Sequence, residues 1–178
     1  MRKRDPFTFI VGGRAGAGVK KSGSVASNLF RSMKRNVFQM DDYQSLIRGG
    51  HNFVATSTCR GPITSQYIKA DVLVALDARS VRIHREHLRG DGVLVYNADE
   101  VEASDLPEGA ESVAVPMGTE ANKHENPELR LGIAGPAALA ALIGLSKEDL
   151  QKLIEEEYKR DLEANHAFGG AVYDAVAD

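Results

Sequence analysis

The chain has one cysteine, Cys59, in 178 residues. One thiol cannot form an internal disulfide, and an iron–sulfur cluster takes about four thiolates. Any redox role would therefore place the electron carriers elsewhere. A lone thiol of this kind is expected to be a small core residue rather than a nucleophile. Long apolar runs are also missing. The longest lies around Ile133–Leu145, is broken by Gly135, Pro136 and Gly144, and is too short to span a bilayer. The basic start, Met1 to Arg4, leads into an apolar stretch far too short for a signal-peptide core. A cytoplasmic protein without a membrane partner is expected. Positive charge is not in excess: 22 Lys and Arg face 25 Asp and Glu, for a net charge of -3. That argues against nucleic acid as a partner. No internal repeat, low-complexity tract or linker divides the chain, so residues 1–178 are read as one domain.

Hydrophobic and charged residues are present in ordinary globular proportion, 43% and 26%. Phe7-Thr8-Phe9-Ile10-Val11 reads as a buried first strand. Val25, Ala26, Leu29, Phe30 and Met33 recur at helical spacing and predict a helix over Val19–Met33. Strands are expected at Asn36–Met40, Asn52–Cys59, Asp71–Leu76, Val93–Tyr96 and Ser112–Val115. A helix capped by Ser80 should run to Leu88 and stop at Gly90 and Gly92. Pro136 is placed at a helix start, where its missing N–H costs little. Ser146 should cap a last helix running on through Leu162. This alternation predicts an α/β fold: a mostly parallel sheet, helices on both faces, three layers, Rossmann-like.

The strongest local motif is Gly12-Gly13-Arg14-Ala15-Gly16-Ala17-Gly18, between the first strand and the first helix. Glycines permit close backbone approach, and the helix start offers free N–H groups, so the motif suits a phosphate or carboxylate. It does not fit the G-x-x-x-x-G-K-[ST] pattern, because Ala15 and Lys20 stand where glycines are needed. It does not fit G-x-G-x-x-G from Gly16, because residue 21 is lysine. Asp41 or Asp42 still falls about 20 positions after Gly18, the spacing of a ribose-binding acid, which keeps an NAD-binding reading open. A tight turn without any ligand is the plain alternative.

A second segment, Tyr43-Gln44-Ser45-Leu46-Ile47-Arg48-Gly49-Gly50-His51-Asn52, packs a guanidinium, two glycines, an imidazole and an amide just ahead of a strand. Arg48 suits a phosphate or carboxylate. Gly49 and Gly50 let backbone approach a ligand or another subunit, and His51 and Asn52 can orient polar groups. The segment reads as a binding or interface loop, or as a turn in which Arg48 caps carbonyls. His84 and His87 lie three apart on an expected helix, and a solvated helix face explains them better than a metal does.

Taken in order, these segments resemble the gamma domain of the 2-oxoacid:ferredoxin oxidoreductases. Phe9–Val19 resembles that family's opening glycine loop, and Ile47–Asn52 its arginine–glycine–glycine segment. Gly61-Pro62-Ile63 and Ala70–Asp77 resemble its next turn and central strand. Leu139–Leu145 is similar to its late helix, and Asn165 with Gly169-Gly170 to its final motif. The resemblance covers nearly the whole chain, and the order and spacing of the motifs carry it.

The resemblance implies a component of an oxidoreductase complex, inactive alone, with no catalytic residue of its own. Such complexes convert a 2-oxoacid such as pyruvate to an acyl-CoA and pass electrons to ferredoxin. They use thiamine diphosphate with magnesium, iron–sulfur clusters and coenzyme A. The resemblance implies that none of these is bound by this chain alone. The expected partners are the alpha, beta and ferredoxin-like delta components, and ferredoxin itself. Gly12, Gly13, Gly16, Gly18, Arg48, Gly49, Gly50, His51 and Asn52 are the expected ligand or interface residues. An NAD-dependent dehydrogenase domain and a non-redox assembly module are the alternatives.

Overall fold

The computed structural model describes residues 4–43 and 50–178. Six strands form one sheet: β1 Phe7–Arg14, β2 Asn36–Tyr43, β3 His51–Cys59, β4 Ala70–Ala75, β5 Leu88–Asn97 and β6 Glu111–Val115. The helices are α1 Val19–Ser32, α2 Ala78–His84, α3 Met117–Ala121, α4 Pro127–Ile143, α5 Lys147–Glu157 and α6 Leu162–Ala177. The strand order is β2-β3-β1-β4-β5-β6. β1, β4, β5 and β6 pair in parallel, whereas β3 is antiparallel to both β1 and β2. Residues 44–50 are too few for a parallel crossover, which takes a dozen or more residues, so β2 and β3 pair antiparallel.

Alternation along β1 divides the molecule. Phe7, Phe9 and Val11 join Val54, Val74 and Val95 beneath α1 and α4 in the larger core. Ile10, Leu73 and Leu94 face the other way, onto Val81 of α2 and onto Val101. The α/β sandwich with helices on both faces is therefore as expected, with most of the helical mass on one side. Cys59 is a buried free thiol, as expected of a core residue.

Several boundaries differ from the sequence reading. Pro136 lies inside α4, whose first residue is Pro127. A proline there removes the bond to the carbonyl four residues back, Gly132. The Tyr158 hydroxyl approaches that carbonyl oxygen at 3.5 Å. α5 ends at Glu157 rather than at Leu162. The chain reverses through Asp161, at φ 51°, and begins α6, a helix of 16 residues that the pattern did not signal. Asp77, not Ser80, caps α2, accepting from the Ser80 N–H at 2.8 Å. Gly90 and Gly92 belong to β5.

Candidate functional site

β1 continues through Gly12 and Gly13 to Arg14, so only the end of the glycine motif is a loop. A β-carbon on Gly12 would meet Ser80 and His51 at 3.0–3.1 Å; one on Gly13 would meet Leu76 and Val19 at 3.0–3.2 Å. These two glycines serve packing on opposite faces of the sheet. The turn itself is made by Gly16 at φ 97° and Gly18 at φ 74°. Gly18 immediately precedes α1, whose first N–H groups have no partner within the helix. It also sits against α4, where an added β-carbon would lie 2.9 Å from the Gly132 Cα. The two sequence motifs meet: the Ala15 N–H donates to the Gly50 carbonyl at 2.9 Å.

A cleft of about 490 Å³ opens beside this turn, lined by Arg14, Gly16, Gly18, Lys20, Tyr43 and Asn52 among others. Asn52 is 6% exposed, and its Oδ1 has no hydrogen-bond partner. Arg14 bridges Glu100 at 2.7 Å and Glu128 at 2.8 Å. Those two hydrogen bonds, Glu128 first, hold its proton even more tightly than usual, so its charge is committed. Lys20 has no carboxylate partner among the described residues, and its Nζ lies 5.6 Å from the Tyr43 ring centroid. Burial, and then Asp41, push the Tyr43 hydroxyl up to about 12, so it stays protonated at neutral pH. An entering anion thus meets Lys20, a helix amino terminus and a neutral phenol. Lys21 points elsewhere, to Glu157 at 2.7 Å.

His51 and Asn52, adjacent in sequence, part company because successive strand side chains point to opposite faces. Asn52 enters the cleft; His51 goes beneath the sheet to α2. Its Nε2 lies 2.9 Å from Nε2 of His84, and His84 Nδ1 lies 3.4 Å from Nδ1 of His87. The solvated-face reading thus fails for His84, which is buried. Burial, then the charges of His51 and His87, lower its pKa to about 4. Burial likewise lowers that of His51. Among the described residues no group of three His, Cys, Asp or Glu is placed to hold a metal ion. Nor does the Cys59 thiol, spent on the Gly61 carbonyl at 2.8 Å, suit a cluster.

Of the nine residues expected in the site, Gly16, Gly18 and Asn52 line the cleft. Gly50 braces the loop, Gly12, Gly13 and His51 support it from within, and Arg48 and Gly49 lie outside the described residues. The sequence alone gives no role to Lys20 or to Tyr43, the first residue of the second segment. The first was legible as a lysine in the first turn after the glycine loop; the second needed the pairing of Tyr43 with Asn52 across β2 and β3. Asp41 and Asp42 lie on β2, separated from β1 by β3 and hence by two strand spacings, roughly 10 Å. A ribose-binding acid would instead follow the strand next to β1.

This architecture is shared with solved oxidoreductase subunits. The gamma subunit of a keto/oxoacid ferredoxin oxidoreductase from Geobacter sulfurreducens superposes with a TM-score of 0.79 at 22% identity, covering 97% of each chain. A 2-oxoglutarate:ferredoxin oxidoreductase from Magnetococcus marinus, solved with 2-oxoglutarate, coenzyme A and succinyl-CoA bound, gives 0.80 at 19% identity. There 98% of this chain matches 31% of the other. In sequence, the alpha subunit of 2-oxoacid:ferredoxin oxidoreductase 2 from Aeropyrum pernix is 30% identical over 91 residues, which is 51% of this chain. The present chain matches only 14% of the length of that relative. The family model described as pyruvate ferredoxin/flavodoxin oxidoreductase matches residues 8–175, and the chain belongs to that family.

Proposed function

We propose that this chain is the gamma component of a coenzyme-A-dependent 2-oxoacid:ferredoxin oxidoreductase, acting on the coenzyme A side. The whole complex would convert a 2-oxoacid and coenzyme A to acyl-CoA and carbon dioxide, passing two electrons to ferredoxin. Thiamine diphosphate with magnesium supplies the carbon–carbon bond chemistry in such enzymes, and iron–sulfur clusters carry the electrons. Both are assigned to the alpha, beta and delta partners. No residue of this chain is assigned to the chemical steps.

The observation that carries the reading is the cleft at the α1 amino terminus, lined by uncommitted Lys20 and by Asn52, whose Oδ1 has no partner. Phosphates suit such a place: Lys20 offers a mobile cation and the first turn of α1 its N–H groups. A hydroxyl or amide hydrogen of the same ligand would satisfy Asn52. Arg48 and Gly49 are assigned to contact with the ligand or a partner domain. The test is steady-state kinetics of the reconstituted complex with Lys20→Gln and Asn52→Leu. Loss of one charge-assisted contact should raise the KM for coenzyme A about tenfold. The KM for the 2-oxoacid should stay unchanged. An unaltered coenzyme A KM in both variants would refute the assignment.

A further inference from the structure

Across Lys21 from the glycine-loop cleft lies a second cavity, of about 420 Å³, within the range of small-molecule sites. Three helix amino termini meet there: α1 through Gly18 and Lys21, α4 through Leu129 and Arg130, and α6 through Asn165. These helices have 14, 17 and 16 residues, and none is capped by a side chain. Each start carries a partial positive charge, and α1 and α6 present unpaired N–H groups; in α4, Pro127 has no N–H and the Leu129 N–H donates to the Asn126 carbonyl at 3.0 Å. The residues preceding α4 and α6, Asn126 and Asp161, hold left-handed φ values of 54° and 51°. The Asp161 carboxylate turns to Arg130, at 3.1 Å, instead of capping its own helix.

Two buried side chains at this junction are incompletely bonded. Arg130 is 4% exposed, and its Nε has no partner. Asn165 is 3% exposed. Its Nδ2 donates to the Arg160 carbonyl at 2.9 Å, which fixes the amide so that Oδ1 is the free atom, and Oδ1 has no partner. Buried polar groups are nearly always satisfied. A free donor and a free acceptor, on two residues that line one cavity, therefore select a ligand that brings both counterparts. Charge decides the rest. Glu157 is taken up by Lys21 and Asn28, each at 2.7 Å, whereas Lys159 and Arg160 at the rim have no carboxylate partner among the described residues. Leu129, exposed, and the Tyr158 ring add apolar wall.

We propose that this cavity binds a small carboxylic acid bearing an amino or hydroxyl group beside its carboxylate and a short apolar tail. The carboxylate accepts from Arg130 Nε and the first-turn N–H groups of α6. The amino or hydroxyl hydrogen goes to Asn165 Oδ1, and the tail lies on Leu129 and Tyr158. This site does not depend on the coenzyme A reading: Gly18 and Lys21 border both cavities, but Lys20, Asn52 and the α1 N–H groups take no part in it.

The test is titration calorimetry of the full chain with L-leucine, 2-hydroxy-4-methylpentanoate and 4-methylpentanoate, with and without saturating coenzyme A. Saturable binding is expected for at least one of the first two. The third, which leaves the buried acceptor unpaired, should bind at least about tenfold more weakly. Arg160→Gln changes an exposed side chain and keeps the fold; it should weaken binding about threefold, the value of one exposed charge contact. Coenzyme A should leave the affinities unchanged. No saturable binding of either donor-bearing acid, equal binding of all three, or displacement by coenzyme A would each overturn the proposal.

Discussion

Replacing Gly18 by alanine tests the junction on which both cavities depend. Gly18 combines two demands. Its φ of 74° lies in the left-handed region, where a β-carbon costs about 1–2 kcal/mol. Its β-carbon would also stand 2.9 Å from the Gly132 Cα, a backbone atom that cannot rotate away. Forcing α1 and α4 apart is an overpacking change, worth about 1–3 kcal/mol. Together these predict that Gly18→Ala destabilises the chain by about 2–5 kcal/mol. For a chain of this size each kcal/mol lowers Tm by about 2–4 °C, so a fall of roughly 4–20 °C is expected. Gly16→Ala is the matched control: its φ is 97°, but nothing lies within 4 Å of the new carbon. It should cost only the conformational part, about 1–2 kcal/mol. Urea unfolding of the wild-type chain and both variants, with linear extrapolation, measures the difference. Equal losses in the two variants would show that the α1–α4 contact does not constrain the turn, and would refute the packing argument.

Other consequences follow from buried polar groups. Native His84 stays neutral down to a pKa of about 4, while an unfolded histidine titrates near its ordinary value of 6.5. Between these pH values the unfolded chain binds the extra proton, so stability falls as pH drops through that window and is flat above it. The contribution is at most about 3 kcal/mol, and a His84→Asn variant should show a shallower loss between pH 6.5 and 4; an unchanged slope would remove His84 from the account. Asp71 is buried and accepts the Thr8 N–H at 2.8 Å. Asp71→Ala should cost about 1–3 kcal/mol in chemical denaturation, because it leaves that donor unpaired, whereas Asp71→Asn, which keeps an acceptor, should cost less. Arg14 makes two short ion pairs but is exposed, so Arg14→Ala should cost under about 1 kcal/mol at 0.15 M salt. A larger loss would mean that the bridge to Glu100 and Glu128 holds the fold.

Much of the framework was legible in the sequence because it depends on local rules. The period-2 and period-3.6 patterns located β1, α1, β3, β4 and β6 to within a few residues, and Ser146 does cap α5 through the Asp149 N–H at 3.1 Å. The glycine motif marked the strand-to-helix turn because no other residue holds two left-handed positions so cheaply. The order of the motifs was enough to indicate the family. Tertiary context decided what local rules cannot reach. Pro136 is tolerated within α4, which packs against α1 and α6, with the Tyr158 hydroxyl near the Gly132 carbonyl; propensity alone would have placed a helix boundary there. α6 begins after a left-handed aspartate that forms an ion pair with Arg130, a contact 31 residues away in sequence that no window could see. His51 and Asn52 were read as one cluster and were separated by the pleat of β3. The antiparallel insertion of β3 between β1 and β2 moved Asp41 and Asp42 away from the glycine loop. Composition and periodicity specify which segments are strands and helices, since those depend on neighbours in the chain. Which side chains meet in a cavity depends on register, strand order and helix crossing, and only the folded chain sets those.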